Sequence, residues 1–566
     1  MQIWKQDKIQ DLAKFMIAVL VNIILLALCS AFTQFVFESN DDVIMRRLAN
    51  GSETGEYEIY LKFMGIPIGL VLKALYSILP SVYWYSLFFE GCIFGCSTLV
   101  LYLLFKKSAN VINMILTTII YSGTFAIFLF PIVAKIQFTL VANVLACTAI
   151  ITYALWENGK RSYIVSAFLF FLALEVRLDC IIMALPFAFI VWIAKIAKNR
   201  SNKVYLKKQF LFMFSLVGIM LVCVLIETVA YNATSKWKNF NDFCVIRAKV
   251  FDYEGMPEYS EFQQLYEEMG ITKEERDLIS NNNHLLFTNN VGVDELKVIH
   301  EKNKENEKQD LFLAIKSAIY LNIYYIPAVC ITIALGYILI FIYALMTKNI
   351  LLVLELAFTK IASLFIFFVI FTRGRFPLRV ILPIYCLELA CLICIWVINR
   401  KRISKKQAAI CFTVCLVLFT GIYFKWAIRY IDDVRRNVNE KVENSSSLME
   451  LQEYLSNRTD NFYYLDVRLF DEYTEDVFAK QHEYYNQVLM GGWLPRSPWY
   501  DKKYERYGLT GTKEDLLTDN VYFIFADTDS EIRMENYFNN RYDFEIDDNF
   551  YTSDGGRYKI VKAVVK

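Results

Sequence analysis

The chain has 566 residues, with 59 Lys and Arg against 58 Asp and Glu, 56% hydrophobic residues and a mean hydropathy of +0.35. A net charge of +1 gives no long-range field for nucleic acid. The apolar residues fall in blocks of about 17–25, the length that crosses a hydrocarbon layer of roughly 30 Å, and this excludes a chain of soluble domains. The expected class is an α-helical polytopic membrane protein with the lipid bilayer as its solvent. Of the thirteen cysteines, twelve sit in or beside apolar runs and only Cys244 lies in a long polar loop, so no disulfide framework is expected. His284, His300 and His482 are scattered, and no Cys/His set has metal-ligand spacing.

In chain order, eleven spans are predicted, at about 13–35, 82–105, 109–131, 137–156, 162–175, 178–195, 209–231, 323–346, 349–371, 380–399 and 407–428. The first is too long for a signal-peptide core and reads as a retained helix. It is followed by "FESNDDVIMRRLANGSETGE" at 37–56, which places Asp41 and Asp42 just beyond the first span and Arg46 and Arg47 behind them. The fifth span is short for a full crossing and is expected to tilt, or to break between Glu175 and Asp179.

A long insertion at 232–322 reads helical. Thr272 stands three residues before Glu275 as in a capping box, and "VDELKVIHEKNKENEK" continues as a charged helix. Within it, "WKNFNDFCVIRAKVFDYEGMPEY" mixes aromatics with Arg247, Asp252 and Tyr253. That segment either lines a substrate cleft or lies in the aromatic belt of the interface. The tail begins helical through "MELQEYL" and then gives strand-like runs at "NFYYLDVRLF", "NVYFIFA", "YDFEI" and "RYKIVKAVVK". Turn signals such as "GGWLPRSPW" at 491–499 separate them. The expected division is a transmembrane domain over 1–428, with loops at 36–81 and 232–322, and a small α/β domain over 429–566.

Lysine and arginine set the orientation. The loops "KK" at 106–107, "GKR" at 159–161, "KIAKNRSNKVYLKK" at 195–208 and "RKRISKK" at 400–406 alternate and are nearly free of acids. They are expected to be cytoplasmic together with the N-terminus, which leaves the 36–81 loop, the insertion and the C-terminal domain outside the cytoplasm. The expected location is the plasma membrane.

Charges that topology does not explain are the candidates for chemistry. Glu90, Glu355, Lys360 and Glu388 fall at membrane depth, where an ionisable group needs a partner or a role. A structural ion pair between Lys360 and Glu388 is the expected arrangement, and a proton or ion path is the alternative. At the outer mouth, "LEVRLD" supplies Glu175, Arg177 and Asp179, and "FTRGRFPLRVILP" supplies Arg373, Arg375 and Arg379. Three arginines in seven outer residues run against the positive-inside bias, and their planar donor forks suit a phosphate. Lipid headgroups or the nearby acids are their alternative partners. One acid of "NDD" suffices to cap the helix "VIMRRLA", which leaves the second free for general-base work. The pair could also take a divalent cation.

The layout resembles the GT-C superfamily of integral-membrane glycosyltransferases, which use polyprenyl-phosphate-linked sugars. The resemblance rests on "NDD" at 40–42 after the first span, the amphipathic stretch "YLKFMGIPIGLVLKALYSILP" at 60–80, and the outer arginines Arg177, Arg373, Arg375 and Arg379. "KIQFTLVANVLA" at 135–146 and "LEVRLDCIIMALPF" at 174–187 add to it, and it covers roughly residues 10–430. It implies a bacterial cell-envelope enzyme of polysaccharide biosynthesis that works with inversion. Asp41 comes first and Asp42 second as catalytic acid. Arg177, Arg373, Arg375 and Arg379 would hold the donor phosphate, with Arg247 and Asp252 in the substrate cleft. The acceptor would be a surface glycan or a lipid-linked carrier. Alternatives are a polysaccharide polymerase or ligase, a transporter or flippase, and a sensor with a ligand-binding tail. No internal duplication favours transport.

Overall fold

The computed structural model describes residues 2–156, 159–280, 285–288, 290–306, 311–372, 377–401, 424–539 and 541–566. The first part of the chain forms α1 (Gln2–Phe32), β1 (Val36–Phe37), α2 (Asn40–Ala49), α3 (Ile66–Ile78), α4 (Trp84–Lys107), α5 (Val111–Phe128), α6 (Phe130–Ala134) and β2 (Lys135–Ile136). It continues with α7 (Phe138–Leu155), α8 (Lys160–Val176), α9 (Leu178–Lys198) and α10 (Lys203–Tyr231). The insertion contributes α11 (Ser235–Arg247), α12 (Gln263–Glu268), α13 (Lys273–Ile279), α14 (Val293–Asn306) and α15 (Leu311–Tyr324). Three more long helices follow, α16 (Pro327–Met346), α17 (Ile350–Thr372) and α18 (Leu378–Asn399), and then α19 (Phe424–Ser456).

Among the described residues nine helices are long and apolar enough to cross a membrane: α1, α4, α5, α7, α9, α10, α16, α17 and α18. The protein is a helical, multi-pass membrane protein. Of the other two predicted spans, the fifth is α8, at 17 residues too short for that group, and the eleventh falls mostly outside the described residues. The predicted break is present. α8 stops at Val176, Arg177 is extended, and α9 starts at Leu178.

α7 is the centre of the bundle, 94% buried, whereas α10 at the rim is 11% buried and presents apolar side chains outward. α7 can be central because Ala142, Ala146, Cys147, Thr148 and Ala149 keep its surface narrow, letting α4, α8, α9 and α18 approach closely. Gln137 caps it, its side-chain oxygen accepting from Thr139 N at 2.7 Å and Leu140 N at 3.3 Å. At membrane depth the predicted ion pair is formed. Lys360 Nζ lies 3.0 Å from Glu388 Oε1, which also accepts from Tyr337 at 2.8 Å, and Ser363 donates to Oε2 at 2.8 Å. Glu355 accepts from Asn399 Nδ2 at 2.6 Å, and Glu90 lines a mostly apolar cavity with Leu26, Phe35, Ile93 and Ile136.

The predicted helical insertion is present, with Thr272 Oγ1 accepting from Glu275 N at 3.1 Å. The reciprocal half of the box is absent, because the Glu275 carboxylate accepts from Asn290 instead. The tail builds β3 (Phe462–Leu465), β4 (Gln487–Leu489), α20 (Pro498–Tyr507), β5 (Val521–Ile524), α21 (Thr528–Tyr537), β6 (Tyr542–Tyr551) and β7 (Arg557–Val565). The sheet order is β4-β3-β5-β7-β6, with β3 parallel to β4 and β5, and β7 antiparallel to β5 and β6. Four strands match the predicted runs. β4 was not among them, since three residues are too few to show a period of two.

The expected boundary at 428/429 falls inside α19, a helix of 33 residues and roughly 50 Å that leads straight into the tail. The tail also returns to the first loop. β1 pairs with β2 on one side, and on the other Phe37 N donates to Glu475 O at 3.1 Å and Val477 N to Phe35 O at 3.0 Å. Arg46 and Arg47 of α2 both pair with the buried Glu475 carboxylate, and Arg47 stacks 3.6 Å over the Tyr484 ring.

Candidate functional site

The site is built where α2, the loop before α3, the α8–α9 break and the tail converge. Ser39 adopts extended backbone and starts α2, so Asp41 and Asp42 lie in the first turn, where the helix dipole favours carboxylates. Ser39 makes no side-chain cap; its hydroxyl donates to Asp42 Oδ2 at 3.2 Å. Asp42 is fully buried and also accepts from Tyr85 OH and Phe138 N, each at 3.2 Å. Burial, and then the charge of Asp41, push its carboxyl well above the usual range. Asp42 thus joins α2 to α4 and to the start of α7, and a divalent cation at this motif would meet Asp41 alone.

Asp41 is half-buried, and its Oδ1 accepts from Trp493 Nε1 at 2.9 Å. Trp493 stands edge-on to Phe63, with centroids 5.3 Å apart, and Phe63 stacks on Phe138 at 5.2 Å. The Arg177 guanidinium lies over both of these rings, at 5.5 and 5.4 Å, and pairs with Asp179 at 2.8 Å. The extended backbone at Arg177, between two helices, puts its side chain there. Asp41 and Arg177 therefore flank one aromatic floor.

Lys62 precedes Phe63. Its Nζ donates to Asn241 Oδ1 at 2.7 Å and lies 5.4 and 5.7 Å from the Tyr231 and Phe240 ring centres. Burial holds the Lys62 ammonium below the ordinary lysine range; the charges of Arg177 and Arg247 push the same way, against Cys244 and Glu227. Arg247, at the end of α11, is 5% exposed and pairs with Asp252 at 3.0 Å, while its buried Nε and Nη1 have no hydrogen-bond partner. Tyr60 stacks on Trp237 at 3.9 Å, and Trp237 meets Trp499 edge-on, closing an aromatic wall. Gly65 lets this loop seat against α8: its N–H donates to Glu175 O at 2.6 Å, and a Cβ there would stand 1.9 Å from Glu175 Oε2.

The structure thus gathers Asp41, Arg177, Arg247 and Asp252 from the predicted set and adds Lys62 and Trp493, which sequence reading missed. Lys62 sat in a stretch read only as amphipathic, and Trp493 in one read only as a turn. Arg379 lies half-buried in the first turn of α18, with no hydrogen bond or ion pair to this cluster among the described residues. Arg373 and Arg375 lie outside the described residues. Arg46 and Arg47, which follow the two acids in sequence, pair with Glu475. Among the described residues no group of three or more His, Cys, Asp or Glu side chains is placed to hold a metal ion. The groups available are the Asp41 carboxylate, whose Oδ2 has no hydrogen bond among the described residues, with the Arg177, Lys62 and Arg247 side chains and the aromatic rings between them. Family models, curated proteins and solved structures give no match to the chain.

Proposed function

We propose that the protein is an integral-membrane glycosyltransferase of the GT-C type, moving a sugar from a polyprenyl-phosphate donor to a cell-surface glycan or lipid-linked acceptor. The supporting observation is that Asp41, through Trp493, and Arg177 both meet the Phe63 ring, with Lys62 next in sequence and bonded to Asn241 of the helix that ends at Arg247. In this reading the Asp41 carboxylate takes the proton of the acceptor hydroxyl. The acceptor oxygen attacks the anomeric carbon, and the bond from that carbon to the phosphate oxygen breaks. The phosphate leaves with the electron pair, and Arg177, Arg247 and Lys62 stabilise its growing charge. One displacement inverts the anomeric centre. The aromatic floor suits the apolar face of a sugar or the first isoprene units. The alternating basic loops support a site on the outer face of the plasma membrane, with the C-terminal domain outside the cytoplasm.

The test is to incubate the purified protein with labelled polyprenyl-phosphate sugars and envelope glycan acceptors. Transfer with inverted anomeric configuration is expected. Binding of the lipid phosphate without transfer of any sugar would contradict the enzyme reading.

A further inference from the structure

We propose that Trp493 is a positioning residue for Asp41, so that the tail completes the catalytic face. The proposal rests on the reading of Asp41 as the base.

The two side chains come from opposite ends of the chain, 452 residues apart, and meet in one hydrogen bond of 2.9 Å from the indole N–H to Oδ1. No hydrogen bond to Oδ2 is formed among the described residues, which leaves that oxygen for an incoming hydroxyl. An indole N–H only donates, so it orients the carboxylate without competing for the proton the base must take.

The donor is itself held still. Trp493 is 8% exposed, edge-on to Phe63 and to Trp499, and its carbonyl accepts from Cys244 Sγ at 3.5 Å. The preceding Gly492 has φ of +81°, and a Cβ there would meet Val467 Cγ2 at 3.3 Å, so a side chain would disturb the loop. On either side, Met490 O accepts from Leu286 N at 3.0 Å and Arg496 Nη1 donates to Val291 O at 2.7 Å. The loop therefore belongs to the same packed body as the insertion. Nearby charged and titratable groups are Asp42, next on α2, Arg177 over Phe63, Lys62 before it, and Cys244, which donates to the Trp493 carbonyl.

The test compares Trp493→Phe with Asp41→Asn in the sugar-transfer assay, recording kcat, the donor KM and thermal stability. Phenylalanine keeps an aromatic ring on Phe63 and removes the N–H. Turnover is expected to fall roughly tenfold near neutral pH, the loss of one hydrogen bond to a charged group, with donor KM unchanged. If the phenylalanine variant does not fold, 3-benzothienylalanine at the same position keeps the shape, replaces N–H by sulfur, and is expected to give the same result. An unchanged turnover, with Asp41→Asn inactive, would overturn this proposal alone. Full turnover in Asp41→Asn would remove the base and the need to position it.

Discussion

Asp42 accepts three hydrogen bonds inside the protein, whereas Asp41 accepts one, from an indole at the rim of an aromatic floor. Adjacent helical residues point roughly 100° apart, and that rotation sends one acid inward and the other to the cleft. Sequence reading ranked Asp41 ahead of Asp42 only through the family resemblance and offered no physical reason to divide them. Arg177 was legible as a charge of the outer mouth, and Arg247 and Asp252 as charges of an aromatic segment with two readings, substrate cleft or interface belt. Lys62 was not, because a lone lysine beside apolar residues reads as an ordinary interface residue until Phe240 and Asn241 close over it. If these cations hold a phosphate, Lys62→Met and Arg247→Ala should each weaken binding of a polyprenyl phosphate by roughly 1.5–3 kcal/mol, measured by titration in detergent. Arg247→Lys should recover only part of that, because the planar fork is lost. Unchanged affinity in the double variant would return both residues to a packing role.

At the scale of elements, α2 is held between the bundle and the tail, and Glu475 is the fastening. Burial alone would raise its carboxyl, but the charges of Arg47 and Arg46 overcome this and hold it at about 2 against an ordinary 4.5. A depressed folded value contributes stability above the unfolded one. That stability is full above about pH 4.5 and is lost as pH falls toward about 2. A melting series over this window should show the loss, and Glu475→Gln should flatten it. Glu475→Gln should also cost on the order of 3–5 kcal/mol, since it leaves two buried guanidinium groups without a counter-charge. The Lys360–Glu388 pair tests another point. Glu388→Gln should lower stability and leave sugar transfer intact, and Lys360→Met with Glu388→Leu should regain stability, because an apolar pair can replace a satisfied buried one. Loss of transfer at full stability would favour a proton path through α17 and α18. The α8–α9 break was legible from the charges of "LEVRLD". The return of residues 475–477 to β1 was not, since two-residue pairings leave no pattern in sequence.

At the scale of the molecule, the nine membrane-length helices among the described residues, the helical insertion and the strand-rich tail follow patterns of apolar length and alternation that the sequence carries openly. What the sequence does not carry is closure: the tail reads as a separate domain by composition, yet it reaches Asp41 through Trp493 and α2 through Glu475. Reporter fusions after Arg402 and after Leu455 should report opposite compartments, with the second outside the cytoplasm. The same compartment for both would reverse the proposed side of the site. The most direct measurement of the central claim is sugar transfer from a polyprenyl-phosphate donor by purified wild type, Asp41→Asn and Asp42→Asn, with melting followed alongside. The account predicts that Asp41→Asn loses about 10²–10⁴-fold in turnover, the usual contribution of a general base, while keeping donor binding and stability. Asp42→Asn should show its main effect in stability. Full turnover in Asp41→Asn, with wild type active, would contradict the account.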